Sequence, residues 1–236
     1  MIHAEKDPDF TAAVERAKLR ALYEFAYGAG HEINNPLANI SARAQALLRD
    51  EKLDDRRQKL AAIVTQAQRA HEMISDLMLF AKPPKLQSSE IELVAWLKKI
   101  TADQQAAALA AGIAWQMTLP ETPCLLLADP TMLANAVRAV VTNAIEAQGQ
   151  GGAIVVTFTN ADPAEYQLSV RDTGAGMDAA MRERIFDPFY SGREAGRGLG
   201  FGLCRAWRIM DLHGGRISVE SMLGQGSAFT LHLPRS

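Results

Sequence analysis

His31 lies in the run YGAGHEINNPLANI and brings an imidazole, the side chain best suited to act as a neutral nucleophile near pH 7. Apolar or small residues flank it at positions 29 and 33, both on one helical seam. At about 100° per residue the ring therefore points away from that seam, toward solvent. Glu32 is long enough to reach the ring and hold its reactive tautomer, although neighbouring residues do not share a helix face and the Glu chain must wrap around. Pro36 lacks an N–H and obstructs the carbonyl of Glu32, which loosens the helix beside the histidine. Asn35 stands one helical turn after His31 on the same face, where its amide can hydrogen-bond a water without competing as a nucleophile. A zinc-protease HExxH is excluded, because Asn35 occupies the place of the second histidine. His71, followed by Glu72, lacks that histidine too and reads as a surface helix residue; His3, His213 and His232 carry no spacing signal.

A second constellation runs through VVTNAIEAQ, VRDTGAGM, FDPFYSGREAGRGLGFGL and GQGSAF. Asp172 ends a strand, and its carboxylate can accept a hydrogen bond from an exocyclic amine, as adenine offers. Gly174 and Gly176 let a ligand or backbone approach closely. Gly196, Gly198 and Gly200 precede an apolar helix, so loop N–H groups and a helix N-terminus are available to phosphate oxygens. Asn143 lies mid-helix, and its amide oxygen is a ligand that Mg²⁺ accepts beside phosphates and waters. The spacing matches neither the P-loop nor the Rossmann fingerprint. Singly, each piece has a plain alternative: a solvated helix histidine, an ordinary turn, a flexible glycine loop. Four such pieces in this order are hard to assign to chance.

These groups need two kinds of scaffold. The chain has 236 residues, enough for two modest domains, and its 48% hydrophobic and 22% charged residues describe an ordinary folded protein. A net charge of -2 leaves no global basic field, so nucleic acid is not an expected partner. Cys124 and Cys204 form no CxxC and have no histidine at metal-ligand spacing, which points to a reducing cytoplasm without zinc or disulfides. No apolar run approaches the roughly 18 residues of a membrane span, and residues 1–20 are too charged for a signal peptide.

The texture changes at Pro83-Pro84. Before it, apolar or small residues at 19, 22, 26, 29, 33, 37, 40, 44 and 47 mark one amphipathic helix, and Leu60, Ile63, Ala67, Ala70, Ile74, Leu77 and Ala81 a second. The polar RDEKLDD between them predicts an antiparallel hairpin whose open seams are buried by pairing two hairpins into a dimeric four-helix bundle. After it, the pattern predicts a helix at roughly 90–111, strands at roughly 113–118 and 124–128, and a helix at roughly 130–148. Strands at roughly 153–159 and 165–171, a helix at roughly 199–213 and a hairpin at roughly 215–221 and 227–233 complete an α/β domain on a mixed sheet. The expected division is a segment 1–14, a helical domain 15–84 and an α/β domain 85–236.

Over roughly residues 15–233 the chain resembles the sensor histidine kinases of bacterial two-component systems. HEINNP is similar to their H box, NAIEA to the end of the N box, DTGAG to the G1 box, FDPFY to the F box, GRGLGFG to the G2 box and GQGSAF to the G3 box. The resemblance implies an α-helical hairpin, dimeric as a four-helix bundle, followed by an α/β sandwich of the GHKL ATPase type shared with Hsp90, MutL and gyrase. It implies ATP-dependent phosphorylation of His31 with Glu32 as acid/base helper, transfer to a response-regulator aspartate, and dephosphorylation of that partner through Asn35. Asp172 would contact the adenine amine, Ser227 would support adenine through water, Asn143 would hold Mg²⁺, and Arg193 in a short lid at 187–197 would meet phosphate. Ser227 replaces the usual Thr and keeps the hydroxyl. Ala139 replaces the first Asn of the N box, which leaves open an alternative: an ATP-binding scaffold with weak or no autokinase activity. An ATPase of the Hsp90 or MutL type is the third reading, disfavoured by the hairpin carrying HEINNP.

Overall fold

The computed structural model describes residues 24, 30, 32–81, 83–149, 151–188, 190 and 200–235. The chain divides after Pro84 into two compact units. In the first, helix α1 (32–50) and helix α2 (Asp54–Ala81) are joined by a three-residue turn. Glu51 shapes the turn: its carboxylate accepts from the N–H groups of Lys52 and Leu53 at 2.9 and 3.0 Å. Arg57 donates back to the carbonyls of Leu48 and Glu51, which supplies donors where α1 runs out of its own. Asp54 and Asp55 sit in the first turn of α2, favourably placed at the positive end of its dipole.

Along the hairpin Ala44 and Ala67 are buried, whereas Ile40 and Leu47 remain 49% and 63% exposed, with Ile33 and Ile63 also open. A single hairpin thus leaves apolar surface on the seam that the periodicity marked. The expected seam positions 19, 22, 26 and 29 lie outside the described residues.

The second unit is built on a five-stranded sheet in the order β2-β4-β5-β7-β6, from β2 (Ala114–Thr118), β4 (Ala153–Thr159), β5 (Glu165–Asp172), β6 (Arg216–Ser221) and β7 (Ser227–Pro234). The β2–β4 pair is parallel and the others are antiparallel, the mixed sheet that the sequence predicts. Beside it, β1 (Ser89–Glu92) and β3 (Leu125–Ala128) form a small antiparallel pair. The helices are α3 (Leu93–Ala110), α4 (Pro130–Ala147), the short α5 (Ala179–Arg184) and α6 (Gly202–Leu212).

Strict alternation along β4 and β5 sends Ile154, Val156, Phe158, Leu168 and Val170 to one face, where they meet Leu133, Val137 and Val140 of α4 and Ile209 and Met210 of α6 as a buried core. The starts of α3 and α4 are each fixed by a side chain. Glu92 caps α3 by accepting from Val94 and Ala95, and Asp129 caps α4 by accepting from Thr131 and Met132, followed by Pro130 in the first turn. His213, at the end of α6, donates from Nδ1 to the Ile209 carbonyl and accepts at Nε2 from the N–H of Asp129, tying the end of α6 to the start of α4.

Candidate functional site

The end of β5 delivers Asp172 to the interior, where it is 1% exposed. Its Oδ1 accepts from the Gly174 N–H at 2.8 Å, while Oδ2 is buried without a hydrogen-bond partner among the described residues. Burial pushes this carboxyl above its ordinary value, and the N–H groups of Gly174 and Ser227 only partly offset it. A buried anionic oxygen without a donor is costly unless something else supplies one.

The loop beyond Asp172 is threaded so tightly that glycine is obligatory. A Cβ on Gly174 would stand 2.4 Å from the Ala147 carbonyl oxygen at the end of α4. One on Gly176 would stand 2.0 Å from that of Met222. Gly176 also has φ of 65°, in the left-handed region. From the other side Gly226, φ 82°, approaches the Asp172 carbonyl so closely that a Cβ would lie 2.0 Å from it. The register that pairs Asp172 with Ser227 brings these segments together.

Ser221, which sequence reasoning does not single out, locks this junction. Its hydroxyl accepts from the Met177 N–H at 2.9 Å and donates to the Gly226 carbonyl at 3.0 Å. Its one proton is thereby committed, so in the 3.0 Å contact between the two hydroxyls Ser227 is the donor. Ser227 Oγ is left with lone pairs to offer, an acceptor beside Asp172. Nothing in the strand pattern RISVES distinguishes Ser221 from an ordinary polar strand residue.

On α4, Ala139, Asn143 and Ala147 succeed one another at one-turn intervals and so share a face. Ala147 meets the Gly174 loop at one end of this stripe, and the Ala139 Cβ faces Gly202 of α6 at 3.9 Å from where a Cβ would stand. Half-buried Asn143 falls between them. Ala139 itself is buried. Gly200 has φ of 67°, and Phe201, which begins α6, makes no side-chain capping bond, so the first N–H groups of α6 have no cap of their own. The structure thus brings Asp172, Gly174, Gly176 and Ser227 together, with Asn143 on the stripe that runs from their loop toward α6.

Among the described residues no three His, Cys, Asp or Glu side chains gather to hold a metal. The single amide oxygen of Asn143 fits Mg²⁺, a cation usually held by one or two protein oxygens while phosphates and waters complete its shell. Glu32 and Asn35 are exposed on α1. His31, Arg193, Gly196 and Gly198 lie outside the described residues, as does most of the expected lid.

Residues 128–236 match the family model described as histidine kinase-, DNA gyrase B-, and HSP90-like ATPase, and residues 21–85 match the His Kinase A (phospho-acceptor) domain. Sporulation kinase C of Bacillus subtilis is 34% identical over 94% of this chain and 51% of its own length. The sensor histidine kinase ZraS of Escherichia coli K12 is 33% identical over 93% of this chain and 47% of its own length. The chain therefore spans about half the length of the curated relatives it matches. Full-length ShkA, crystallised in complex with AMPPNP, has the same fold, with a TM-score of 0.77 at 24% identity over 90% of this chain and 46% of that one. No helix among the described residues is long and apolar enough to cross a membrane. Matched in tandem by a phospho-acceptor domain and an ATPase domain, and alike over nearly its whole length to kinases of this type, the chain belongs to the sensor histidine kinases of two-component systems.

Proposed function

We propose that this protein binds ATP in its α/β unit, transfers the γ-phosphoryl group to His31, and passes it to an aspartate of a response-regulator receiver domain. The observation that carries the nucleotide reading is the Asp172 carboxyl, raised in pKa by burial, whose Oδ2 has no hydrogen-bond partner among the described residues. An adenine amine supplies the missing hydrogen, and the Ser227 hydroxyl, turned as an acceptor by Ser221, suits a water bridging to the same ring edge. Gly174 and Gly176 hold the strand-end loop against Ala147 and Met222 and so fix where the carboxylate points.

In the transfer step His31 offers a ring nitrogen lone pair to the γ-phosphorus in line with the departing ADP oxygen, and Glu32 takes up the imidazole proton. The Pγ–O bond to ADP breaks as the N–P bond forms. Mg²⁺, held on the protein side by Asn143, would supply charge neutralisation on the phosphates. Arg193, Gly196, Gly198 and Gly200 would contribute a guanidinium and backbone N–H groups to the phosphates, beside the start of α6. Asn35 orients a water against the phosphorylated aspartate of the partner and gives the protein a phosphatase activity as well. The protein works in the cytoplasm as a homodimer through the hairpin, whose exposed Ile40 and Leu47 support burial against a second copy.

Incubation with γ-labelled ATP tests this reading. Acid-labile label is expected in the protein and absent from His31→Gln, with ATP affinity unaltered, since acceptor and nucleotide residues belong to different units. Label retained in that variant shows that another residue is the acceptor. The scaffold alternative is favoured only by Ala139, packed against Gly202 where a polar side chain would otherwise help order phosphate or metal; ATP binding without any label would support it.

A further inference from the structure

The helical hairpin carries a polar contact that the site described above does not use. His71 of α2 and Asn34 of α1 meet across the seam, Nδ1 to Oδ1, at 3.0 Å. They sit in a consistent antiparallel register, between the Arg57–Leu48 bond near the turn and Gly30, whose Cβ position lies 3.0 Å from Met78 Sδ and 3.4 Å from Ile74 Cγ2. Leu37, Ala44, Leu60, Ala67, Ala70 and Ile74 are half-buried or buried on the same seam, and the pair, with Asn34 half-buried and His71 exposed, is a polar rung at the edge of this mostly apolar ladder. Such a rung fixes register, because sliding or turning either helix separates the two atoms.

The amide oxygen of Asn34 can only accept, so the imidazole must present Nδ1–H, and its tautomer is set. The position matters because Pro36 leaves the Glu32 carbonyl without its helical donor, and the turn 32–36 is short of one backbone bond. Asn34 lies in the middle of that turn and is held from α2 instead. Successive residues of a helix are about 100° apart, so fixing the direction of Asn34 fixes those of Glu32 and Asn35 on either side.

We infer that His71 is a positioning residue for phosphoryl transfer, acting through Asn34 to set the rotation of the turn that follows His31. This rests on the function proposed above. It explains why two adjacent asparagines are not equivalent: Asn34 is half-buried and engaged, while Asn35 is exposed.

The test uses the full chain and measures single-turnover labelling of His31 from γ-labelled ATP, the KM for ATP and the thermal midpoint. His71→Leu removes the donor at similar volume and is expected to slow labelling about tenfold at unchanged KM. His71→Gln, whose amide N–H still reaches across, recovers most of the rate, and the double variant Asn34→Ala/His71→Leu is no slower than His71→Leu alone. Wild-type rate in His71→Leu, a His71→Gln variant as slow as His71→Leu, or multiplying effects in the double variant each overturn the inference and leave the kinase reading intact. Absence of label from the wild-type protein overturns both. Should His71→Leu fail to fold, proton–nitrogen NMR of the wild type and of Asn34→Ala still decides. The Nδ1–H tautomer of His71 is expected in the wild type and its loss in Asn34→Ala; an Nε2–H tautomer in the wild type overturns the contact.

Discussion

Replacing Asp172 by Asn exchanges one buried oxygen for an NH₂ group and changes almost nothing in size, so its effects separate binding from folding. The oxygen that accepts from Gly174 at 2.8 Å can be kept, which puts the new NH₂ where Oδ2 stood, an atom with no hydrogen-bond partner among the described residues. Toward an adenine amine that is donor against donor. Loss of a hydrogen bond to a charged acceptor costs about 1.5–3 kcal/mol, roughly a ten- to 150-fold weaker dissociation constant. Folding should respond with the opposite sign. Burial raises the Asp172 pKa above its ordinary 3.8, so the penalty is absent below that value, grows as the unfolded chain ionises first, and is present in full above the raised value. At neutral pH the nucleotide-free variant escapes it, and its thermal midpoint should rise while its affinity for ATP falls. Calorimetry with ATP and a melting curve without it read the two effects in one preparation. Unaltered affinity would remove Asp172 from the site, and weaker affinity with a lower midpoint would mean general damage instead of a lost acceptor.

Asn35→Ala should slow the loss of phosphate from a phosphorylated partner while His31 still becomes labelled; an unchanged dephosphorylation rate leaves only the kinase activity. Gly226→Ala must displace the Asp172 carbonyl, at a cost of about 3 kcal/mol or more in urea unfolding together with loss of ATP binding. Gly224, with φ of 75° and none of the described residues within 4 Å of its Cβ position, should lose only the backbone cost of about 1–2 kcal/mol on the same change, with ATP binding kept. Glu165 is held at a pKa of about 2, first by the Arg216 guanidinium and then by His232, so its contribution is complete above 4.5 and fades as pH falls toward 2. Glu165→Gln should therefore show a shallower acid loss of unfolding free energy across that interval than the wild type.

The elements legible in the sequence were those whose periodicity is local. The strands β4, β5 and β7 and the helices α4 and α6 fall within about three residues of their expected bounds, because alternation and a 3.6-residue stripe are written within each segment. The helix expected from about residue 90 begins at Leu93, behind a strand that was not expected. Residues 89–92 are extended because they pair with 125–128, and only Ile91 among them is buried, too little alternation to announce a strand. Short α5 buries no residue and is marked mainly by its cap, Asp178 accepting from the Met181 N–H. For the candidate site, residue types announced Asp172 and its glycines, since a carboxylate at a strand end beside two glycines is a local pattern. Unreadable were the partners that make it a site: the carbonyls of Ala147 and Met222, the hydroxyl of Ser221, and the packing of Ala139 on Gly202. All arrive from distant parts of the chain, as does Asn34 for His71.

The pairing of Asp172 with Ser227 also bears on how long the protein lasts. The proposed adenine acceptor and its supporting hydroxyl belong to strands that α5 and α6 separate in sequence, and they adjoin only while β7 lies on β5. A molecule whose β7 has peeled away no longer offers the pair, so ATP is a ligand of the closed sheet alone. At a nucleotide concentration about a hundred times the dissociation constant, mass action then adds about 2.7 kcal/mol against opening. Exposure of the β5 edge to proteases and to other strands would thus rise as ATP is depleted, and the energy supply of the cell would set the lifetime of the kinase as well as its rate.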